Sequence, residues 1–254
     1  EMFIAKYDPA GNVLWAQKAG SANAGLVKAI AVDVTGNSYL TGSFYFEASF
    51  GSTSLAADGW ATFIAKYDTE GNVIWATSST GTSGNNRSYA IATDDIGNSF
   101  SVGYFDRQIT FGSTTLISNG SYDIYVVKHD IGGNVLWAKN MGGTGTEYGQ
   151  DISLDEQGNL YVTGNFYQNA SFGSSVLANY GGSDVFLIKL DPVGNVMWAK
   201  NAGGNGNDFG HGLATDANGN SYVTGTTIGN SNFGNFTLNA TEASLFRSEE
   251  HTSE

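Results

Sequence analysis

The sequence predicts an all-β fold in which one unit of four short antiparallel strands is repeated along the chain. Three observations support this prediction: a period of about 61 residues, a glycine turn that occurs twice in each period, and 35 glycines against only 2 prolines. Such a composition with regularly spaced turns is typical of many short strands. Because 41% of the 254 residues are hydrophobic, the chain can bury a core, and wholesale disorder is excluded.

The period is visible in residues that recur at a constant spacing. Four Phe-Gly pairs begin 61 residues apart, at Phe50, Phe111, Phe172 and Phe233. A glycine that closes a Tyr-Val-Thr-Gly type segment has the same spacing, at Gly42, Gly103, Gly164 and Gly225. The motif Asn-Val-Φ-Trp-Ala, in which Φ is Leu, Ile or Met, contains Trp15, Trp75, Trp137 and Trp198 at spacings of 60, 62 and 61 residues. The chain therefore contains four copies of one unit.

A turn motif, Asp-x-x-Gly-Asn, indicates tight hairpins. It begins eight times, at Asp8, Asp33, Asp68, Asp94, Asp130, Asp155, Asp191 and Asp216. The aspartate can cap the turn, and the glycine can take the left-handed conformation of a type I turn with a bulge. A calcium loop is the alternative, but one carboxylate per turn falls short of the several oxygens that such loops supply. We therefore interpret the motif as a plain turn.

The second copy shows the expected strands, which we name A, B, C and D. They are predicted at Tyr89–Thr93, Ser99–Tyr104, Ile124–His129 and Asn134–Lys139. The tight turn joins A to B and C to D, and a longer insert joins B to C. Side chains alternate between the two faces of strand D, and both faces are apolar. We therefore expect each sheet to pack between two others. Four-stranded antiparallel sheets stacked around an axis are the blades of a β-propeller.

The two ends of the chain interrupt this pattern. Residues 1–8 begin inside a unit, which predicts three whole blades flanked by two half blades, an open arc of a larger propeller. The repeat domain is expected to span residues 1–246. Residues 247–254, Arg-Ser-Glu-Glu-His-Thr-Ser-Glu, match the in-frame translation of a common sequencing adapter. We interpret them as an artefact and expect them to have no regular structure.

The motifs resemble those of a known family. Phe-Ile-Ala-Lys-Tyr-Asp-Pro-x-Gly-Asn-Val-Leu-Trp-Ala, followed by Gly-Gly-x-Gly-x-Asp and then Tyr-Val-Thr-Gly, is similar to the bacterial SBBP β-propeller repeat over residues 1–246. The first two copies depart from the Gly-Gly-x-Gly-x-Asp loop, at 20–25 and 81–86. The resemblance implies a bacterial protein that is secreted or lies at the cell surface, and it carries no catalytic motif to transfer.

Composition and motifs narrow the possible functions. A formal net charge of −13 argues against nucleic acid or an anionic membrane as partner. The absence of cysteine and of long apolar runs in the sequence argues against thiolate metal sites and membrane insertion. No nucleophile triad, histidine pair or phosphate loop can be assembled from the sequence. We expect no cofactor and no enzymatic activity, and we expect a module that binds or displays an unknown glycan or protein. A fragment of a polysaccharide-active propeller enzyme and a structural spacer are the alternatives.

Equivalent positions in the four copies form what we call columns, and two of these columns have both a structural and a functional interpretation. The four motif tryptophans could stack on sugars, but apolar neighbours in mid-strand favour packing between blades. Four strand C lysines, Lys6, Lys66, Lys128 and Lys189, could bind an anion, but one structural ion pair in each blade is the simpler explanation. His129, which replaces a tyrosine in strand C, is expected to be a packing residue.

The candidate ligand site is a rim on one face of the blades. Successive hairpin connections alternate between the two faces, so the tight turns share one face and the longer B–C inserts and D–A crossovers share the other. On the second face, Lys28, Tyr89, Gln150 and His211 are spaced 61 residues apart and differ in every copy. With Trp60 and Arg87, these side chains are the predicted ligand rim. An exposed position without constraint is the alternative interpretation of the column.

Overall fold

The computed structural model describes residues 1–22, 24–81, 84–239 and 244–250, and their paired strands form antiparallel β-sheets. The predicted all-β class is confirmed. The described residues contain no helix that is both long and apolar enough to cross a bilayer. The chain is described below as a first half unit and four further repeat units.

The strands have the following bounds. The half unit contains β1 (Phe3–Tyr7) and β2 (Val13–Lys18). Unit 1 contains β3 (Ser21–Ala22), β4 (Gly25–Val32), β5 (Ser38–Phe50), β6 (Thr53–Tyr67) and β7 (Val73–Ser78). Unit 2 contains β8 (Arg87–Thr93), β9 (Ser99–Phe105), β10 (Gln108–Phe111), β11 (Thr114–Ile117), β12 (Asp123–His129) and β13 (Val135–Gly143). Unit 3 contains β14 (Glu147–Leu154), β15 (Leu160–Phe166), β16 (Ala170–Phe172), β17 (Ser175–Leu177), β18 (Asp184–Leu190) and β19 (Val196–Gly204). Unit 4 contains β20 (Phe209–Thr215), β21 (Ser221–Thr227), β22 (Asn230–Phe233), β23 (Phe236–Asn239) and β24 (Ser244–Glu250).

Strands A, B, C and D are neighbours in sequence order within each sheet. In unit 2 the order is β8, β9, β12, β13, and in unit 3 it is β14, β15, β18, β19. Consecutive units contact one another through their A strands, β4 with β8, β8 with β14, and β14 with β20. No sheet closes on itself in the described residues, since β1 pairs with β2, and β21 pairs with β20 and β24.

All eight Asp-x-x-Gly-Asn segments form the predicted turn. In the first, the backbone N–H of Gly11 donates to the carbonyl of Asp8 at 3.0 Å, and the Asp8 carboxylate accepts the backbone N–H of Asn12 at 2.8 Å. Gly11 has a φ of 86°, and the glycines of the other seven turns have φ values between 77° and 87°. This left-handed region is the one that glycine enters without a Cβ clash.

The B–C insert, which the sequence predicts only as a longer connection, is a β-hairpin. In unit 3 it consists of β16 and β17, and β16 pairs with the end of β13 in the preceding unit. The equivalent hairpin of unit 4 pairs β22 with β19. The phenylalanine of the Phe-Gly pair is buried in units 1 to 3, at Phe50, Phe111 and Phe172, and half-buried in unit 4, at Phe233. The B–C hairpin of units 3 and 4 therefore joins each of these units to the unit before it.

Burial differs between the inner and the outer strands. Every residue of β9 and of β15 is buried, as predicted for sheets packed on both faces. In strand D, however, the Φ residue of the tryptophan motif is exposed in all four copies: Leu14 57%, Ile74 50%, Leu136 54% and Met197 56%. The prediction of two buried faces is wrong here, because strand D is the outermost strand of its unit, whereas consecutive units pack through their A strands.

The end of the chain is paired. β24 (Ser244–Glu250) takes the strand C position beside β21 in antiparallel register. The expectation that residues 247–254 have no regular structure is therefore wrong for 247–250, and 251–254 lie outside the described residues. Strand pairing uses backbone groups, which these residues supply whatever their side chains. The adapter origin of the segment stays a prediction.

Candidate functional site

The lysine column forms structural ion pairs in three units, as predicted. Lys189 Nζ lies 3.5 Å from Asp155 Oδ2, the first residue of the A–B turn in the same unit. The equivalent distances are 3.8 Å for Lys66 and Asp33 and 3.9 Å for Lys128 and Asp94. In the half unit, Lys6 donates instead to the carbonyl of Thr69, 3.0 Å away. The four lysines therefore bind groups of the protein itself, which favours the structural interpretation over anion binding.

The motif tryptophans are half-buried and pack against the next unit. A Cβ on Gly133, in the C–D turn of unit 2, would lie 2.8 Å from Cδ2 of Trp75, and one on Gly71 would lie 2.9 Å from Trp15. Trp137 approaches Gly194 of unit 3 in the same way, with a corresponding distance of 3.2 Å. Packing between units is thereby confirmed for these three rings.

The four residues of the predicted column share one backbone feature. Each is the extra residue of a β-bulge in strand A, skipped in the pairing with strand B: Lys28, Tyr89, Gln150 and His211. Bulges re-aim side chains and are enriched beside functional sites. The recurring strand B glycine permits the bulge, because a Cβ on Gly103 would overlap the carbonyl oxygen of Arg87.

Tyrosines from units 2 and 3 form one cluster beside this column, which we call the tyrosine cluster: Tyr89, Tyr104, Tyr122, Tyr148 and Tyr167. The Tyr104 ring lies 4.7 Å from that of Tyr148 and 5.1 Å from that of Tyr122, edge to face in both cases. Tyr104 is buried, whereas Tyr167 is 38% exposed. Burial raises the pKa of both Tyr104 and Tyr148, so both phenols stay neutral and offer donors.

A cationic side chain joins the cluster to the predicted Trp60. The Arg87 guanidinium carbon lies 3.6 Å from the centre of the Trp60 ring, and the Tyr45 ring lies 5.5 Å from that of Trp60. Burial lowers the pKa of Arg87, and the neighbouring tyrosines Tyr104, Tyr89 and Tyr122 oppose this effect. Trp60 is half-buried rather than freely exposed.

The predicted rim is only partly assembled. Lys28 Nζ lies 5.2 Å from the centre of the Tyr89 ring, so these two members of the column touch. His211 instead stacks on Phe209 with ring centres 6.2 Å apart, and its Nε2 lies 3.4 Å from the Thr226 hydroxyl. In the described part of the chain, no ring contact or hydrogen bond joins Gln150 or His211 to the tyrosine cluster.

Sequence reasoning missed the cluster residues other than Tyr89, although a signal was present. Tyr104 stands where the other copies carry Ser43, Asn165 and Thr226. The spacing of the strand C lysines, 62 from Lys66 to Lys128, further shows that the unit 1 insert is one residue shorter. Trp60 is therefore the equivalent of Tyr122. Each forms an isolated β-bridge with the following crossover, Trp60 with Asn85 and Tyr122 with Thr146.

Two pairs of buried carboxyl groups lie at the crossovers that follow units 2 and 3: Asp123 with Glu147, and Asp184 with Asp208. Burial raises the pKa of Glu147 to about 7 and that of Asp184 to about 6, and in each pair the facing carboxylate adds to the rise. Each pair thus holds two acids where burial disfavours charge.

His129 is buried at 3%, and its ring stacks on Trp75 with centres 6.5 Å apart. The predicted packing role is confirmed. Burial lowers its pKa to about 4, which the carboxylate of Asp130 partly opposes.

The chain is similar to a family model and to known proteins. Residues 198–234 match the SBBP family model, described as a beta-propeller repeat. An uncharacterized WD repeat-containing protein of Acanthamoeba polyphaga mimivirus is 26% identical over 289 aligned residues, which cover 89% of this chain but only 21% of that protein. A protein of unknown function from Bacteroides caccae has a TM-score of 0.45 and 10% identity over 94% of this chain and 65% of its own, a likeness too low to add to the description of the fold. The resemblance inferred from the sequence is confirmed where the match lies: residues 198–234 are an SBBP-type β-propeller repeat.

Proposed function

We propose that the chain is an open arc of a larger β-propeller that binds or displays a ligand outside the cell without enzymatic activity. Three whole blades lie between a half blade of strands C and D and a last blade of strands A, B and C. The strand order within each unit and the contacts between successive A strands support the blade assignment. The separate two-stranded sheet of β1 and β2 supports an arc that further blades would complete.

One observation carries the binding role: the tyrosine cluster joins Arg87 and Trp60 on the face of the D–A crossovers. Tyrosine, tryptophan and arginine are the side chains most enriched where proteins hold ligands, because each offers a large surface with a polar end. Several of these rings remain partly exposed, Tyr167 by 38% and Tyr45 by 36%. On the opposite face, the eight described tight turns bond their polar groups to one another.

The partly exposed rings suit a ligand that lies across them, and we favour a glycan, whose ring faces stack on aromatic side chains while its hydroxyl groups bond to polar neighbours. Asn85 is such a neighbour, since its Nδ2 lies 3.3 Å from the Tyr122 hydroxyl. A protein segment is the alternative ligand.

A glycan array tests this role. The chain should bind a defined subset of printed glycans, and the triple variant Arg87→Ser, Tyr89→Ser, Tyr148→Ser should lose at least about tenfold in affinity. Tyr7→Ser is the matched control, because Tyr7 is 60% exposed at the end of β1, beside a tight turn. Binding that survives the triple variant would contradict the assignment of the face. An array without signal would contradict the glycan and leave a protein ligand as the alternative.

The non-enzymatic part has its own test. The bound glycan is incubated with the chain and analysed by chromatography, and it should be recovered at its original length. Shorter products would support the alternative of a polysaccharide-active enzyme.

A further inference from the structure

Two of the D–A crossovers carry the sequence Gly-Gly-x-Gly-x-acid, and each brings its acid against an aspartate at the start of strand C. The crossovers span residues 142–147 and 203–208. All four carboxyl side chains belong to residues with no exposed surface: Asp123, Glu147, Asp184 and Asp208. Each pair links strand C of one unit to the segment that leads into the next.

In the second pair, both carboxylates lie close against the glycine that begins the crossover. A Cβ on Gly203 would overlap Asp184 Oδ1 and would lie 2.9 Å from Asp208 Oδ2. The backbone N–H of Gly204 donates to Asp208 Oδ2 at 2.9 Å. Asp184 Oδ1 is fully buried and has no hydrogen-bond partner among the described residues. An unpaired carboxylate oxygen and the facing carboxylate thus lie against the same glycine.

The first pair also lies against its glycine, but its unpartnered oxygen belongs to the crossover glutamate and lies towards Gly145. A Cβ on Gly142 would overlap Glu147 Oε2 and would lie 2.9 Å from Asp123 Cγ. The N–H of Gly143 donates to Glu147 Oε2 at 3.0 Å, as Gly204 does in the second pair. Glu147 Oε1 is the unpartnered oxygen here, again within the part of the chain that the structure describes.

Neither pair has a basic side chain to balance it. The ion pairs found among the described residues lie elsewhere, and they involve only Lys18, Lys66, Lys128 and Lys189. The preceding crossover carries Asn86 in place of the acid, and the strand C position that faces it is Ala61. Between units 1 and 2 both acids are therefore absent.

We propose that each carboxyl pair binds one calcium ion, which joins strand C of one unit to the crossover that leads into the next. Calcium accepts six to eight oxygen ligands in flexible geometry, and carboxylates and backbone carbonyls are its usual protein ligands. No third acidic or histidine side chain joins either pair in the described residues, so the proposal assigns the remaining ligand positions to backbone carbonyl and water oxygens. Two buried carboxylates without a counter-charge are costly, and a divalent cation bound between them removes this cost.

A proton shared within each pair is the competing way to remove the same charge. It requires no metal, and it predicts that neutral amide variants are as stable as the unmutated chain, because an amide supplies the missing hydrogen atom.

Calcium titration of the chelator-treated chain by calorimetry, at a pH near 8, distinguishes these two arrangements. We expect two calcium ions per chain, one in Glu147→Gln, one in Asp184→Asn, and none in the double variant. Asp191→Asn is the matched control and should keep two, since Asp191 only closes a C–D turn. Terbium luminescence excited through tyrosine is a second readout, because Tyr122 and Tyr148 neighbour the first pair in sequence.

Absence of calcium binding by the unmutated chain, or a stoichiometry that neither variant lowers, would overturn the proposal. Amide variants that melt at or above the temperature of the unmutated chain in calcium would also overturn it, in favour of the shared proton. Since the unmutated chain alone gives the stoichiometry, a variant that fails to fold does not prevent a decision.

Discussion

The indole Nε1 of Trp75 donates a hydrogen bond of 3.0 Å to the carbonyl oxygen of Ile131, in the C–D turn of the next repeat unit. Trp15 makes the equivalent bond of 2.9 Å to Thr69. In each case the ring covers the turn glycine of the neighbouring unit. The outer edges of successive units are therefore joined by one side chain reaching a backbone turn.

Replacing Trp75 by alanine should destabilise the chain by about 2–4 kcal/mol, through lost ring packing and one lost hydrogen bond. We expect less than for a fully buried tryptophan, because the Trp75 ring is half-buried. Trp75→Phe keeps a ring and loses only the donor, so it should cost about 0.5–1.5 kcal/mol. Urea denaturation followed by circular dichroism measures both, and equal midpoints for Trp75→Ala and the unmutated chain would contradict the contact.

Alanine substitutions at two turn glycines with nearly the same φ can distinguish the cost of a left-handed backbone from the cost of a steric clash. Gly133 and Gly11 have φ values of 85° and 86°, but a Cβ on Gly133 would meet Trp75 at 2.8 Å, whereas a Cβ on Gly11 would meet nothing within 4 Å. Gly11→Ala should therefore cost only the left-handed conformation, about 1–2 kcal/mol. Gly133→Ala should cost about 1–3 kcal/mol more, because the ring must move. Equal costs in denaturation experiments would show that Trp75 does not press on the turn.

The buried ion pair of Lys189 and Asp155 should contribute more than the exposed pair of Lys18 and Glu1. The side chains of the first pair are 12% and 1% exposed, and those of the second 73% and 64%. Lys189→Met should cost about 2–4 kcal/mol, because a buried carboxylate loses its counter-ion. Lys18→Met is the control and should leave the free energy of unfolding nearly unchanged, because water and salt screen the exposed pair. A double-mutant cycle with Asp155→Asn measures the coupling, and a coupling near zero would contradict a structural pair.

The period, the eight turns and the strand order within each unit could be predicted from sequence because each depends on local chemistry. The turn glycines occur at a fixed offset from their aspartates, and side chains alternate within strands. The B–C hairpins could not be predicted in the same way, because pairing of β16 with β13 depends on how two units lie together. The exposure of Leu136 also follows from the outer position of strand D rather than from its own motif.

The candidate site was predicted only in part, for a similar reason. The variable column lies in strand A, as predicted. The bulge that its members share could not be predicted, because it depends on how strand A pairs with strand B, which skips one residue of strand A. The tyrosine cluster combines β9, the start of strand C and β14, which are distant in sequence. A pattern confined to one column cannot show that Tyr104, Tyr122 and Tyr148 meet. A comparison of each copy with the others would have shown Tyr104 as the exception to a small polar position.

His129 should make the stability of the chain depend on pH. Burial lowers its pKa in the folded chain to about 4, whereas an unperturbed histidine has a pKa of 6.5, so between these values the unfolded chain binds a proton that the folded chain does not. The contribution of neutral His129 to the free energy of unfolding is therefore complete above pH 6.5. It decreases as the pH falls towards 4, by up to about 3 kcal/mol. His129→Leu should remove this part of the pH dependence, and leucine fits the position, since the equivalent Leu190 is buried in unit 3. His211→Gln is the control and should follow the unmutated chain, because His211 is exposed. Urea midpoints measured from pH 4 to pH 7 decide the matter: parallel curves for His129→Leu and the unmutated chain would show that His129 accepts its proton without unfolding.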